Sequence, residues 1–245
     1  AVVGDQRHRP ARAMDDAGLS SFEVDGLLSY QMNDSIDSKA VASDLGIRPN
    51  FYMDVFGGGA SIEALVGLAI GAIEAGMCET VMAFPAMNGY SQVRIGGTGT
   101  RAQIPVVGDM LHSRVYGWES PTQMFGPTFI RHMHDYGTTR SQIAAVKVAH
   151  SKHASNNPKA LYKQRVTVDE VLSSRMICHP LSLLDCCVET DNAAAIIITS
   201  AARARDLRQP PVLVRGVVGR CCKPRSDMHF QHGPIDLIIT LDGPA

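Results

Sequence analysis

The stretch Phe51-Tyr52-Met53-Asp54-Val55-Phe56-Gly57-Gly58-Gly59-Ala60-Ser61 and the apolar run behind it decide the fold. Phe51–Phe56 reads as a strand, the three glycines as a tight turn, and residues 60–75 as a helix. That helix carries Ile62, Leu65, Val66, Leu68, Ala69, Ile70 and Ile73 on almost every face. A helix apolar all round belongs in the middle of a layered protein. Gly76 stops it, and residues 80–84 supply the next strand around Val81 and Met82. Strand–helix–strand at this spacing predicts an α/β architecture with parallel neighbouring strands.

The same reading extends outward. Ala1-Val2-Val3-Gly4 reads as a strand entering a turn, with the polar run 5–10 behind it and a helix over 11–17 that Gly18 ends. Residues 20–24 begin a further element, and 24–30 form a short apolar strand. Residues 38–45 predict a small helix closed by Gly46. Residues 88–126, rich in glycine and holding Trp118, read as a long loop, and loops of that length inside domains are often functional. Helices follow over 128–136, 139–155 (capped by Thr139 or Ser141) and 168–174. Residues 193–199 predict a buried strand, 201–206 a short helix, and 211–218 and 235–241 two last strands.

Composition narrows the function classes. In 245 residues, 45% are hydrophobic and 19% charged, enough for one large domain or two closely joined halves. Twenty-three Lys+Arg against 24 Asp+Glu leave a formal net charge of −1. No basic field exists to attract a phosphate backbone, so nucleic acid is not the expected partner. The six cysteines include the adjacent pairs Cys186-Cys187 and Cys221-Cys222, which suit neither a disulfide framework nor zinc knuckles. They read as reduced, mostly buried thiols of a cytoplasmic protein. No signal peptide opens the chain and no apolar run approaches ~20 residues, so no membrane span is expected.

Several stretches read together as one family. The glycine turn with its buried helix, Asn88-Gly89-Tyr90-Ser91, and His134-Asp135-Tyr136-Gly137-Thr138-Thr139 belong to the set. So do the run His150 to Pro158, the run Pro180 to Cys187, and Asp191-Asn192-Ala193-Ala194-Ala195, where the family usually has Asp-Gly-Ala. In order and over nearly its whole length, the chain resembles the thiolase superfamily. Within it, the resemblance is to sterol-carrier-protein thiolases and thiolase-like lipid-transfer proteins. It implies a five-layered α/β fold of two similar βαβαβ halves with an inserted loop region, commonly a homodimer, acting on coenzyme A thioesters in lipid metabolism or transport.

On this resemblance residues 1–87 are the first part of the N-terminal half and 88–175 the loop region. Residues 176–218 return to that half and cross over, and 219–245 begin an incomplete C-terminal half. The family's acid–base motifs of that second half have no match here, and a family member is substantially longer. The chain is then either a natural fragment or lacks segments of a longer one, and the abrupt joins near Gly4-Asp5 and around residues 222–233 favour the second reading.

The family's nucleophilic Cys stands at the start of the buried helix; aligned on Ser61, its place falls to Gly57. Glycine has no side chain to acylate, so no acyl-enzyme forms there. Backbone amides around Gly58 and Gly59, at the positive end of a helix, are suited to a carbonyl oxygen. A tight turn that merely needs positive φ is the other reading. Gly57, Gly58 and Ser61 are therefore the candidate oxyanion corner. Asn88, Tyr90, Tyr116 and Met124 are the candidate substrate-pocket wall, with core packing the alternative for the last two. Lys152 and His153 are candidates to meet the coenzyme A nucleotide.

Other motifs carry bland readings too. Cys178-His179-Pro180 places thiol beside imidazole, but neighbouring side chains diverge and the resemblance puts a structural turn there. His232-Gly233-Pro234 has the family's Gly-His-Pro in the wrong order. His132 with His134, and His150 with His153, lack a third metal ligand and read as solvated or hydrogen-bonded. The glycines of 96–101 lack the lysine of a phosphate loop and read as an interface loop.

The resemblance thus points to an acyl-coenzyme A thioester, with a steroid or branched side chain, as substrate or ligand, and to no tightly bound cofactor or metal. Without the Cys, retro-aldol cleavage of a β-hydroxyacyl thioester is favoured over thiolysis, since it needs a general base and oxyanion stabilisation but no covalent nucleophile. Thiolase-like aldolases of this kind work with a small OB-fold partner. A non-catalytic acyl-coenzyme A or lipid binder or scaffold subunit is the alternative, and a conventional thiolase using another Cys a third.

Overall fold

The structure, a computed structural model, describes residues 2–31, 36–56, 61–91, 110–118, 120–220 and 236–242. The chain divides into two compact units, one of Ala1–Val93 with Thr190–Ala245 and one of Arg94–Glu189.

The first unit begins with helix α1, Val2–Ala17, so the strand expected at the N-terminus is not there. A three-residue strand needs a partner to satisfy its backbone, whereas a helix gains one internal bond for each residue it adds. Gly18 ends α1 with φ +76°, as expected. Strand β1 (Gly26–Gln31), helix α2 (Ser38–Leu45), strand β2 (Phe51–Phe56), helix α3 (Ser61–Glu74) and strand β3 (Thr80–Asn88) follow. Asp37 caps α2 by accepting from the Ala40 amide, and Gly46 closes it with φ +69°. β1 lies between β2 and β3 and is parallel to both.

β1 and β3 are buried on both faces, which is why they read as continuous apolar runs, whereas β2 at the end of the sheet leaves Tyr52 and Met53 exposed. Alternation sends Leu27, Met82 and Phe84 to one face, where they pack with Met14 of α1, Val41 and Ala42 of α2, and Ile47 just beyond Gly46. Leu28, Val81 and Ala83 go to the other face and meet Leu65, Ala69 and Ala72 of α3.

Asp25 pins the amino ends of all three strands. Its carboxylate accepts from the Glu79 and Thr80 amides at 2.9 and 2.8 Å, and its carbonyl from those of Asn50 and Phe51. Gly26 has no room for a side chain: a Cβ there would lie 2.7 Å from Val81 Cγ2 and 3.0 Å from Cys78 Sγ.

In the second unit, helix α4 (Met110–Arg114) and the start of helix α5 (Pro121–Tyr136) fall within the stretch that reads as loop in the sequence. Pro121 opens α5 seven residues earlier than expected, and proline is well suited to a first helical turn because the N–H that it lacks would have no intrahelical partner there. Helix α6 (Arg140–Ser155) is capped by Thr139, whose amide donates to Gln142 Oε1 at 2.7 Å. Helix α7 (Val168–Ser173) leads to a hairpin of β4 (Met176–Cys178) and β5 (Leu181–Ser182). Arg140 joins these elements, donating to the Pro180 carbonyl at 3.1 Å and to Ser182 Oγ at 2.7 Å.

Back in the first unit, the single buried strand expected over 193–199 is two: β6 (Asp191–Ala193) and β7 (Ile196–Thr199), both antiparallel to β3. The ladder breaks at Ala194-Ala195, and Ile196 is exposed, because the second strand lies at the sheet margin. Helix α8 (Ala201–Ala204) and the antiparallel pair β8 (Leu213–Arg220) and β9 (Asp236–Asp242) complete the chain. β8 approaches α3 closely, for a Cβ on Gly67 would lie 2.9 Å from Val217 Cγ1.

Candidate functional site

In open α/β sheets ligands collect outside the carboxyl ends of the parallel strands. Here the register aligns those ends: Gln31 of β1 lies beside Phe56 of β2, and Tyr30 beside Pro85 of β3. Phe56 is followed in the sequence by the three glycines. Gly57 and Gly58 lie outside the described residues, and description resumes at Ser61, the half-buried first residue of α3. Asp54, two residues before that strand ends, holds the start of α2. Its Oδ1 accepts from Ser38 Oγ at 2.7 Å and from the Ser38 amide at 3.1 Å.

β3 continues past its parallel neighbour, and Ala86, Met87 and Asn88 pair with Ala193, Asn192 and Asp191. Beyond Asn88 the chain turns, and Asp191 Oδ1 accepts from two successive amides, those of Tyr90 and Ser91, each at 3.0 Å. The fold thus brings together two segments that are a hundred residues apart in sequence, and sets Asn88 and Tyr90 at the strand ends. Tyr90 is 58% exposed. Asp191 is the residue that sequence reasoning passed over as a functional candidate; its place in a family stretch was visible, its role across the ladder was not.

The remaining candidates belong to the second unit. Tyr116 follows α4 and is 83% exposed, so it is not a core residue. Met124 is half-buried in the first turn of α5. Lys152 and His153 are exposed in the last turn of α6, where the helix dipole favours cations. They sit in a run, residues 137–168, that holds six Lys or Arg and no Asp or Glu. A charge count along the sequence reveals that run; the net charge of the whole chain conceals it.

His132 Nδ1 is 2.9 Å from Thr138 Oγ1 with its ring tilted over Tyr136, and His134 Nδ1 is 3.0 Å from Asp135 Oδ1. Among the described residues no three His, Cys, Asp or Glu side chains are grouped to hold a metal. Cys178 ends β4, and His179-Pro180 forms the turn of the β4–β5 hairpin. The glycines of 96–101, His232-Gly233-Pro234, Cys221 and Cys222 lie outside the described residues.

The other four thiols are free. Of these four only Cys78 is buried, where most were expected inside; Cys187 is exposed because it follows the turn after β5, at the surface of its unit. Burial pushes the Cys78 thiol up, helped by the Asp25 charge, and burial likewise raises Cys186 against the opposing contact from Thr122. Both shifts run opposite to the activation a nucleophilic thiol requires.

An apolar cavity of about 790 Å³ runs along α3 past Ile62, Val66 and Ile70, with β7 as one wall. Glu63 Oε2 is buried in this region with no hydrogen-bond partner among the described residues.

No family model matches the chain. The chain is 39% identical over 228 residues to 17-hydroxy-3-oxo-4-pregnene-20-carboxyl-CoA lyase of Mycobacterium tuberculosis, covering 91% of this chain and 58% of the lyase. The solved structure of an Ltp2-ChsH2(DUF35) aldolase superposes with TM-score 0.76 at 32% identity, over 88% of this chain and 56% of that one. A monomeric SCP2-thiolase-like protein type 1 from Mycobacterium smegmatis shares the fold with TM-score 0.64 at 23% identity, over 89% and 46%. The chain belongs to the thiolase superfamily. Its branch is the SCP2-thiolase-like one, and its fold is the α/β fold of that branch. The thiolase-like chain spans about half the length of the relatives it matches. No described helix is long and apolar enough to cross a membrane.

Proposed function

We propose that this thiolase-superfamily chain belongs to an enzyme that cleaves a carbon–carbon bond in an acyl-coenzyme A thioester by a retro-aldol reaction. The carrying observation is its 39% identity to a carboxyl-CoA lyase over almost the whole of this chain. Gly57 at the place of the family nucleophile supports a reaction without an acyl-enzyme, as do two thiols whose pKa values are raised rather than lowered.

In such a reaction a base removes the proton of the β-hydroxyl, the bond between the α and β carbons breaks, and its electron pair becomes a thioester enolate. The enolate takes a proton at the α carbon, so a ketone or aldehyde and a shortened thioester leave. Backbone amides of Gly58 and its neighbours are the proposed stabilisers of the enolate oxygen; one such donor is worth ~3–4 kcal/mol in known oxyanion holes. Ser61 opens α3, and Asn88 and Tyr90 stand by their backbone at the carboxyl end of β3. The family resemblance further proposes Tyr116 and Met124 as contacts of the acyl part, and Lys152 and His153, in the acid-free run, as contacts of the coenzyme A nucleotide. The acyl part carries a steroid or branched side chain, in keeping with the pregnene carboxyl-CoA of the relative's name.

The proposed assembly is a homodimer in the cytoplasm. Strand β2 supports it, as an end strand whose outer edge pairs with nothing among the described residues and whose Tyr52 and Met53 are exposed. A small OB-fold protein is the proposed second component, in keeping with the two-component aldolase that shares the fold. The test incubates purified protein with a β-hydroxyacyl-CoA and follows ketone or aldehyde release together with intact mass. Product with unchanged mass is expected. Tight binding without turnover would favour the non-catalytic binder, and a stable acyl adduct on Cys78 or Cys178 would overturn the non-covalent mechanism.

A further inference from the structure

We propose that Asp191 is a positioning residue that holds the Asn88–Ser91 turn in place for the ligand; this rests on the carboxyl edge being the acyl-coenzyme A site. Three observations carry it. The last rung of the β3–β6 ladder pairs Asn88 with Asp191, so the turn begins where regular pairing ends. Past that rung, the amides of Tyr90 and Ser91 both converge on Asp191 Oδ1 at 3.0 Å. Two successive amides aimed at one oxygen form an anion-holding nest, and here the anion is the protein's own carboxylate.

The third observation is topological. The chain leaves the first unit after Val93 and re-enters it at Thr190, so Ser91 and Asp191 stand within a few residues of the two crossings. Asp191 ties the outgoing and returning segments together inside the first unit. Closing a loop as long as 94–189 carries an entropic cost that this rung and its two amide bonds offset locally. Without the carboxylate, the amides of Tyr90 and Ser91 turn to water, and the segment carrying Asn88 and Tyr90 loses its anchor beyond Asn88.

Asp191→Ala and Asp191→Asn test this. Amide exchange followed by mass spectrometry reads the turn, and calorimetry with acetyl-CoA reads the ligand. In Asp191→Ala, exchange at Tyr90 and Ser91 is expected to rise at least tenfold, with the β3 amides of Thr80–Ala83 unchanged. Acetyl-CoA affinity should fall at least tenfold. Asp191→Asn keeps a carbonyl oxygen in the same place and should recover most of both losses.

Unchanged exchange at Tyr90 and Ser91 would overturn the anchor. Raised exchange with undiminished affinity would overturn the positioning role and leave Asp191 a structural residue. Wild-type protein that fails to bind acetyl-CoA would defeat the proposed function itself, and the ligand-positioning role with it, a result distinct from the other two.

Discussion

Replacing Asp25 by alanine removes the carboxylate that ties the amino end of β3 to that of β1, while the backbone carbonyl that holds Asn50 and Phe51 stays. The carboxylate takes the Thr80 amide at 2.8 Å and the Glu79 amide at 2.9 Å. Thr80 is fully buried, so its N–H would be left without a partner, a loss of roughly 2 kcal/mol for a donor that bonded a charged group. Glu79 is exposed and its N–H finds water, so that bond contributes about 1 kcal/mol. The sum is about 3 kcal/mol, which for a chain of this size lowers the Tm by about 6–12 °C. Asp25→Asn retains one acceptor oxygen for Thr80 and should recover more than half of the loss. Thermal unfolding by circular dichroism measures both variants. A Tm within 2 °C of wild type for Asp25→Ala, or equal losses for the two variants, would refute the reasoning.

Gly26→Ala should destabilise by about 2 kcal/mol, because the new Cβ would meet Val81 Cγ2 at 2.7 Å and the Val81 Cα at 3.3 Å, where a buried sheet cannot give way; urea unfolding checks it. Glu170 accepts from the Thr167 amide and hydroxyl, and these bonds hold its carboxyl below the usual value. Its contribution is therefore present above about pH 4.3 and lost as pH falls through the lower folded value. The Tm gap between wild type and Glu170→Gln should accordingly shrink from pH 6 to pH 3. With Cys78 and Cys186 both pushed up by burial, iodoacetamide at pH 8 should label exposed Cys187 first and Cys78 last, as read by peptide mass. Labelling of Cys78 ahead of Cys187 would contradict the burial argument.

Where local rules act alone, the sequence was legible. Residues 38–45 and 51–56 have the bounds read from it, and Gly18, Gly46 and Gly76 end their elements with positive φ. The parallel arrangement of β1, β2 and β3 follows from an apolar helix between two apolar strands. Elsewhere local signals misled. Val2 and Val3 favour a strand in isolation, yet they have helical backbone at the start of α1. Glycine and proline in 110–126 suggest loop, yet Pro121 opens a helix. The run 193–199 looks like one strand because composition does not register the break that divides β6 from β7.

For the candidate site the division is sharper. The sequence alone determined that no cysteine stands between Phe51 and Ser61, because a missing side chain is a chemical fact independent of geometry. It determined the acid-free run around Lys152 and His153 for the same reason. Only the tertiary structure decided that Asp191 meets Tyr90 and Ser91, since two hydrogen bonds across a separation of a hundred residues leave no local pattern. The structure also decided that Tyr116 faces water and that Asp25 gathers three strands. Side-chain chemistry is carried residue by residue along the chain, whereas contacts depend on which distant segments the buried sheet brings side by side.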